Sequence, residues 1–324
     1  MATLRDASML STDTVPPGPQ IAVQSSIAAG LVGTTVGSLF YGVMLLQALM
    51  YFYKYKNDQP ILKLMVLVIV LAETAHVGIS MHVEYHYLIS HHADPDADNF
   101  ATVSIILLAP VSALVILISD IFYARRVWLF NPPYRIVFFA AWASFVGAGT
   151  GFVLAAFFKL LMNRTYQHWV AVKWLTTVAF ACAAVSDVLV AISLVYHLYR
   201  QKTGFGRTDR LVDTLTTYAI NTGLVTSLSS LFCVILSVLE GPHHLYLVAL
   251  SVVTTKFYAI SVLVTLNSRE YLSARLHGRA EAADATETVV FTTVPSFFLT
   301  QFRSSFWTRT ATRPRTDIDT ELGV

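Results

Sequence analysis

Lys256 lies inside SVVTTKFYAISV, residues 251–262, within an apolar run from Leu245 to Leu266 that holds no other charge. A charge in hydrocarbon costs on the order of 3 kcal/mol or more, so such side chains face a bundle interior and find partners. At a helical rise of about 1.5 Å per residue, Lys256 is about 15 Å from the near end of its run. By the same reckoning Glu73 and Asp187 lie about 18 Å deep and Asn221 about 14 Å. These four, with His76 one turn past Glu73, form the candidate polar or ligand cluster. An ion pair of Lys256 with Glu73 or Asp187 is expected, buttressed by Asn221 and the hydroxyls of Thr255 and Thr226. The chemistry open to it is a polar ligand pocket, a proton or ion relay, or plain structural pairing. A retinal Schiff base on Lys256 is not expected: the third apolar run offers no acid at mid-depth, and the sixth has no tryptophan to pack a polyene.

A second set of groups gathers at the opposite end of the same runs. His82 and His86 are spaced i, i+4, so both project from one helix face, as a metal pair must. His91 and His92 follow, then Asp94, Asp96 and Asp98; His168, His243 and His244 fall at the same end. Imidazoles and carboxylates close together hold a divalent ion such as zinc, or sense pH near 6.5. Glu73-x-x-His76 would add a deeper ligand pair. No resident cofactor is expected beyond such a divalent metal.

The elements that must position these groups are transmembrane helices. Of 324 residues 55% are hydrophobic and 13% charged, against about 25% charged in a soluble domain. Mean hydropathy is +0.59. Seven runs are long enough to span a bilayer: Ile27–Tyr53, Ile61–Leu88, Ala101–Tyr123, Tyr134–Phe158, Trp169–Tyr199, Val212–Leu239 and Leu245–Leu266. They do not alternate in short stretches as barrel strands would, and helices satisfy every backbone group in lipid. The fold class is therefore all-α, a seven-transmembrane helix bundle.

Basic residues orient it. The first, third and fifth connections carry ten (Lys54, Lys56, Lys63, Arg125, Arg126, Arg135, Arg200, Lys202, Arg207, Arg210). The N-terminal tail and the other connections carry four (Arg5, Lys159, Arg164, Lys173). The positive-inside rule then places the N-terminus outside and the C-terminus in the cytoplasm. The one sequon, Asn163-Arg-Thr, falls on the outer side as a glycosylation candidate. Residues 1–26 read as a disordered extracellular tail, 27–266 as the bundle, 267–280 as a short amphipathic surface helix, and 281–324 as a mostly disordered cytoplasmic tail. Cys182 and Cys233 sit in apolar runs and read as free buried thiols. Gly33–Gly37 (GTTVG) offers a small-residue face for close helix packing, within the bundle in preference to a dimer. Gly147–Gly151 (GAGTG) offers another. A net charge of +2 without a basic block excludes a nucleic-acid partner.

The stretch SDVLVAISLVYHLYRQKTGFGRTDRLVDTLTTYAINTGLVTSL (residues 186–228), followed by TLNSREYLSARL, resembles a large family of fungal membrane proteins. That family is numerous in mushroom-forming fungi and is catalogued as a domain of unknown function. The likeness extends from about Gly37 to Leu276 and takes in GSLFYGVMLLQALMYFYKY, HVEYHYL and FYARRVW. It implies seven helices and carries no catalytic residue across. Signalling receptors share the layout, but Asp-Arg-Tyr after the third span, Asn-Pro-x-x-Tyr in the seventh and the outer disulfide are missing.

The expectation is a multi-pass protein of the plasma membrane, receptor-like or sensory, taking a small-molecule ligand and a cytoplasmic signalling partner in a lipid bilayer. A proton- or ion-coupled transporter using the Lys256 cluster is the alternative, and a metal-dependent membrane hydrolase the third reading.

Overall fold

A computed structural model describes residues 19–90, 101–129, 135–200, 206–239 and 246–276. Within these, side chains are described from residue 28 onward, apart from 166, 167, 170, 206–222 and 270–276. The described residues form seven long helices: α1 (Pro19–Lys54), α2 (Pro60–Tyr85), α3 (Val103–Leu129), α4 (Arg135–Met162), α5 (Tyr166–Arg200), α6 (Gly206–Leu239) and α7 (Tyr246–Leu276). A single π-helical turn, His86–Ser90, prolongs α2. Six of these helices are long and apolar enough to cross a membrane; in α6 the apolar stretch among described side chains is Gly223–Leu239. Thus the described residues form an all-helical bundle suited to a bilayer.

Local chemistry sets the ends. α2 starts on Pro60, whose missing N–H falls where the helix has no acceptor for it. Pro110 lies inside α3 and takes one rung from its backbone ladder. Two residues on, Ser112 Oγ donates to the Leu108 carbonyl at 2.7 Å.

The bundle is inside-out relative to a soluble protein. Leu39, Leu49, Ile61, Leu71, Ile192 and Phe232 are exposed, whereas Glu73, His76, Asp120, Asp187 and Lys256 are buried. Lipid-facing side chains gain nothing from burial in protein, so interiors are free to be polar and small. α7 is the central helix, 72% buried over its span against 11% for α4. It packs on α1, α2, α3 and α6.

The small-residue face of α1 makes the closest of these contacts. A Cβ built on Gly33 would stand 2.7 Å from the Ala249 carbonyl oxygen, and one on Gly37 3.0 Å from Val252 Cγ1. The GTTVG motif therefore packs α1 on α7 within the chain. Gly149 does the same for α4 on α5, where a Cβ would stand 3.3 Å from Cys182 Cβ. Cys182 and Cys233 are both free thiols.

Two boundaries differ from the sequence reading. α1 begins at Pro19, inside the stretch expected as a tail over residues 1–26, while residues 1–18 lie outside the described ones. The separate surface helix expected over 267–280 does not form as its own element: α7 runs unbroken to Leu276. No glycine or proline occurs between Leu266 and Leu276, and Asn267 and Ser268 are buried against the bundle instead of breaking out of it. Residues 277–280 and the tail 281–324 lie outside the described residues.

Candidate functional site

α7 presents Lys256 and Tyr258 to opposite sides, because two helical residues are separated by about 200°. Each side chain meets its own polar partners.

On one side the Lys256 ammonium donates to Glu73 Oε2 of α2, with both side chains wholly enclosed. It also lies 3.2 Å from His76 Nδ1 and 3.5 Å from Thr255 Oγ1. His76 Nε2 is 3.0 Å from Ser112 Oγ of α3. Since the serine directs its hydrogen to the Leu108 carbonyl, Ser112 accepts from Nε2–H, which leaves Nδ1 free to accept from the lysine. A directed chain results, Lys256 to His76 to Ser112 to Leu108 O. Glu73 Oε1 is buried without a hydrogen-bond partner.

On the other side the Tyr258 hydroxyl donates to Asp187 Oδ2 of α5 at 2.6 Å. Ser230 of α6, 2.9 Å from the same phenol oxygen, must then be the donor to it. Thr226 also hydrogen-bonds the Asp187 carboxyl. Ser186 Oγ reaches Asp120 Oδ2 of α3 at 3.2 Å, and Asp120 lies within electrostatic reach of Asp187. Among the described residues no lysine or arginine pairs with either carboxyl.

The structure thus brings Lys256, Glu73 and His76 together and sets Asp187 in a separate group. Asn221 is on α6, with its side chain outside the described residues. Sequence reasoning missed Tyr258, Ser112, Ser186 and Asp120. One signal was available: Ser-Asp occurs twice mid-helix, in ISDIF (118–121 and Phe122) and VSDVL (185–189), and the two pairs meet.

The far end holds the remaining candidates. His82 Nδ1 lies 2.9 Å from Ser104 Oγ. The His82 and His86 rings stand edge to face with centroids 6.5 Å apart. His91, His92 and Asp94 to Asp98 lie outside the described residues. Among the described residues no three His, Cys, Asp or Glu side chains gather as a metal site would need. Asn163 is exposed in the α4–α5 connection, its amide 3.4 Å from His168 Nε2.

A third polar group fixes the other end of α7. Arg269 Nη2 binds Asp58 Oδ2 at 2.5 Å, between α1 and α2, and its guanidinium lies 4.9 Å from the Tyr55 ring centre. Tyr51 donates to the same carboxylate at 2.8 Å. Asn267 Nδ2 donates to Gln47 O at 2.9 Å, and Tyr55 donates to Asn267 O at 3.0 Å. Burial alone would raise the Asp58 carboxyl, but the bond from Arg269, then those from Tyr51 and the Gln59 N–H, hold it below its ordinary value. A carboxyl lowered on folding adds stability above its unfolded pKa of about 3.9 and loses it as pH falls through the lower folded value. Asp58→Asn is therefore expected to melt below the native protein at neutral pH. The gap should close as pH drops beneath about 4. Paired thermal melts across pH check this, and a gap that does not vary with pH would contradict it.

A family model described as a family of unknown function (DUF6534) matches residues 183–271. The matched stretch holds Asp187, Ser230, Lys256 and Tyr258 but not Glu73, His76 or Asp120. Neither the curated proteins nor the solved structures give a match to the chain.

Proposed function

We propose that the chain is a receptor-like, sensory protein of the plasma membrane, N-terminus outside and C-terminus in the cytoplasm. Its element of response is α7. The supporting observation is that this one helix is held by polar contacts at two levels. At mid-depth Lys256 and Tyr258 tie it to α2, α5 and α6; near its C-terminal end Asn267 and Arg269 tie it to α1 and the α1–α2 connection. The levels are about 20 Å apart along the helix. A ligand that favoured one setting of the Lys256 group would be felt at the basic face, where a cytoplasmic partner binds. The ten-to-four asymmetry of basic residues supports that orientation.

The test is a double-mutant cycle between Lys256→Met and Arg269→Gln, read by reversible unfolding in detergent. Independent distant sites add to within about 0.5 kcal/mol. A coupling above that scatter is expected if α7 moves as a unit, and strict additivity would overturn the reading.

Proton- or ion-coupled transport is the second reading, favoured by the two buried carboxyls, Asp120 and Asp187, without a cation among the described residues. It requires flux in proteoliposomes that Lys256→Met or Asp187→Asn abolishes.

A further inference from the structure

We propose that the end of the bundle where α3 meets α7 binds a phosphate monoester, held by Arg126 with Arg269 beside it. This needs only that the bundle sits in a bilayer and is independent of the sensory reading. α3 and α7 both run toward this end, and Tyr123 Oη of α3 lies 3.3 Å from Thr265 Oγ1 of α7. One turn further along each helix come Arg126 and Arg269, so the two guanidinium groups stand within electrostatic reach of each other. Their circumstances differ. Arg269 holds Asp58. Arg126 is half-buried, and among the described residues no carboxylate, hydrogen-bond acceptor or aromatic face engages it; its other close neighbour is the neutral phenol of Tyr123. Other basic side chains at this end are taken up. Arg125, next to it in FYARRVW, donates to Gln59 Oε1 at 2.9 Å, and Arg135 and Arg200 lie over the rings of Trp128 and Tyr196.

A charge drawn partly out of water, beside a like charge and without an anion, costs free energy where it stands. An anion from the surroundings removes that cost, and the donors say which. The planar fork of Arg126 takes two oxygens of a phosphate. Arg269 gives its Nε hydrogen to Leu266 O and one from each Nη to Asp58, which leaves two of its five. A monoester carries nearly two charges and three terminal oxygens, so one oxygen remains for Arg269 once the fork is filled. A phosphodiester or a carboxylate has two oxygens and one charge. Arg126 lies about 4.5 Å along α3 from its end at Leu129. Trp128 beside it is exposed, as aromatic residues are at the headgroup boundary. A lipid headgroup therefore reaches Arg126 from the bilayer, and inorganic phosphate reaches it from water past the exposed Arg269 side chain.

The experiment puts the full chain in phosphatidylcholine nanodiscs, alone, with phosphatidate (a monoester), with phosphatidylglycerol (an anionic diester), or with inorganic phosphate in the buffer. Thermal unfolding and native mass spectrometry of retained lipid are the readouts. Phosphatidate is expected to raise the melting temperature and to be retained about tenfold better than phosphatidylglycerol. In phosphatidylcholine alone Arg126→Gln should melt no lower than the native protein, because it removes an uncompensated charge, and it should abolish the preference for phosphatidate. Stabilisation by inorganic phosphate that Arg126→Gln removes would place the source in solution; stabilisation by phosphatidate alone would place it in the bilayer. Equal retention of the two anionic lipids by the native protein overturns the proposal, and so does a preference that survives Arg126→Gln. A variant that melts well below the native protein, or does not fold, overturns it too, since Arg126 would then already have its partner.

Discussion

Lys256→Met is expected to destabilise the bundle by about 3–5 kcal/mol, the range for removing one partner of a buried ion pair. The size follows from what remains behind. Glu73 is wholly enclosed, and one of its oxygens already lacks a hydrogen-bond partner. Without the ammonium the carboxyl has neither water nor a cation to answer it, and His76 loses its donor at Nδ1. Methionine fills most of the lysine's volume, so packing loss is a minor part. The companion variant, Lys256→Met with Glu73→Gln, tests the cause. Replacing both charges of a buried pair is often neutral or even stabilising, so the double variant should recover most of the loss. Unfolding of all three proteins in one detergent series reads both effects. A single variant as stable as the native chain would mean that Lys256 and Glu73 are not paired. A double variant no better than the single would place the cost in packing, not in the stranded charge. Glu73→Gln alone should also destabilise, because it leaves the buried ammonium with neutral acceptors only and no anionic partner.

Why the pair is Lys256 with Glu73, and not with Asp187, was beyond the sequence. Both acids lie about 18 Å from the ends of their runs, and depth says nothing about the direction in which a helix turns its side chain. The packing of α7 decides that. With Gly33 and Gly37 of α1 seated on Ala249 and Val252, one azimuth of α7 is fixed, and Lys256 then meets α2 while Tyr258 meets α5 and α6. The span lengths were legible because lipid demands long apolar helices, and the need of Lys256 for a partner was legible because a lone charge there is costly. Asp120 was misplaced for a different reason. Arg125 and Arg126 read as the edge of the membrane, which put Asp120 near the end of a run closing at Tyr123. α3 in fact continues to Leu129, so Asp120 sits about 14 Å from its end. Long basic side chains reach toward water from within a helix, and their Cα positions mark the interface poorly. The same limit applies beyond Leu266. Residues 267–280 read as a separate amphipathic helix, but the contact of Asn267 with Gln47 and the unbroken course of α7 to Leu276 make the first of them part of α7.

Tyr258→Phe is expected to cost about 1–3 kcal/mol, the range for leaving a buried hydrogen-bond partner unsatisfied. Neutral hydrogen bonds between helices in a bilayer average only about 0.6 kcal/mol, because the unfolded chain in lipid finds partners too. The phenol exceeds that average for two reasons. Its acceptor is a carboxyl with no cation among the described residues, and it holds three helices at once by donating to Asp187 while accepting from Ser230. Phenylalanine keeps the ring and its packing, so the substitution isolates the hydroxyl. Ser230→Ala removes a neutral donor from the far side of that oxygen and should cost about 0.6 kcal/mol. Adding Asp187→Asn to Tyr258→Phe takes away the stranded carboxyl and should return part of the loss. The order Tyr258→Phe, then Tyr258→Phe with Asp187→Asn, then Ser230→Ala, from least to most stable, is the outcome to look for in unfolding measurements. If Tyr258→Phe instead matches Ser230→Ala, Thr226 alone suffices for Asp187. The hold of α7 on α5 and α6 would then rest on close packing, and the response assigned to α7 would have to pass through Lys256 and α2.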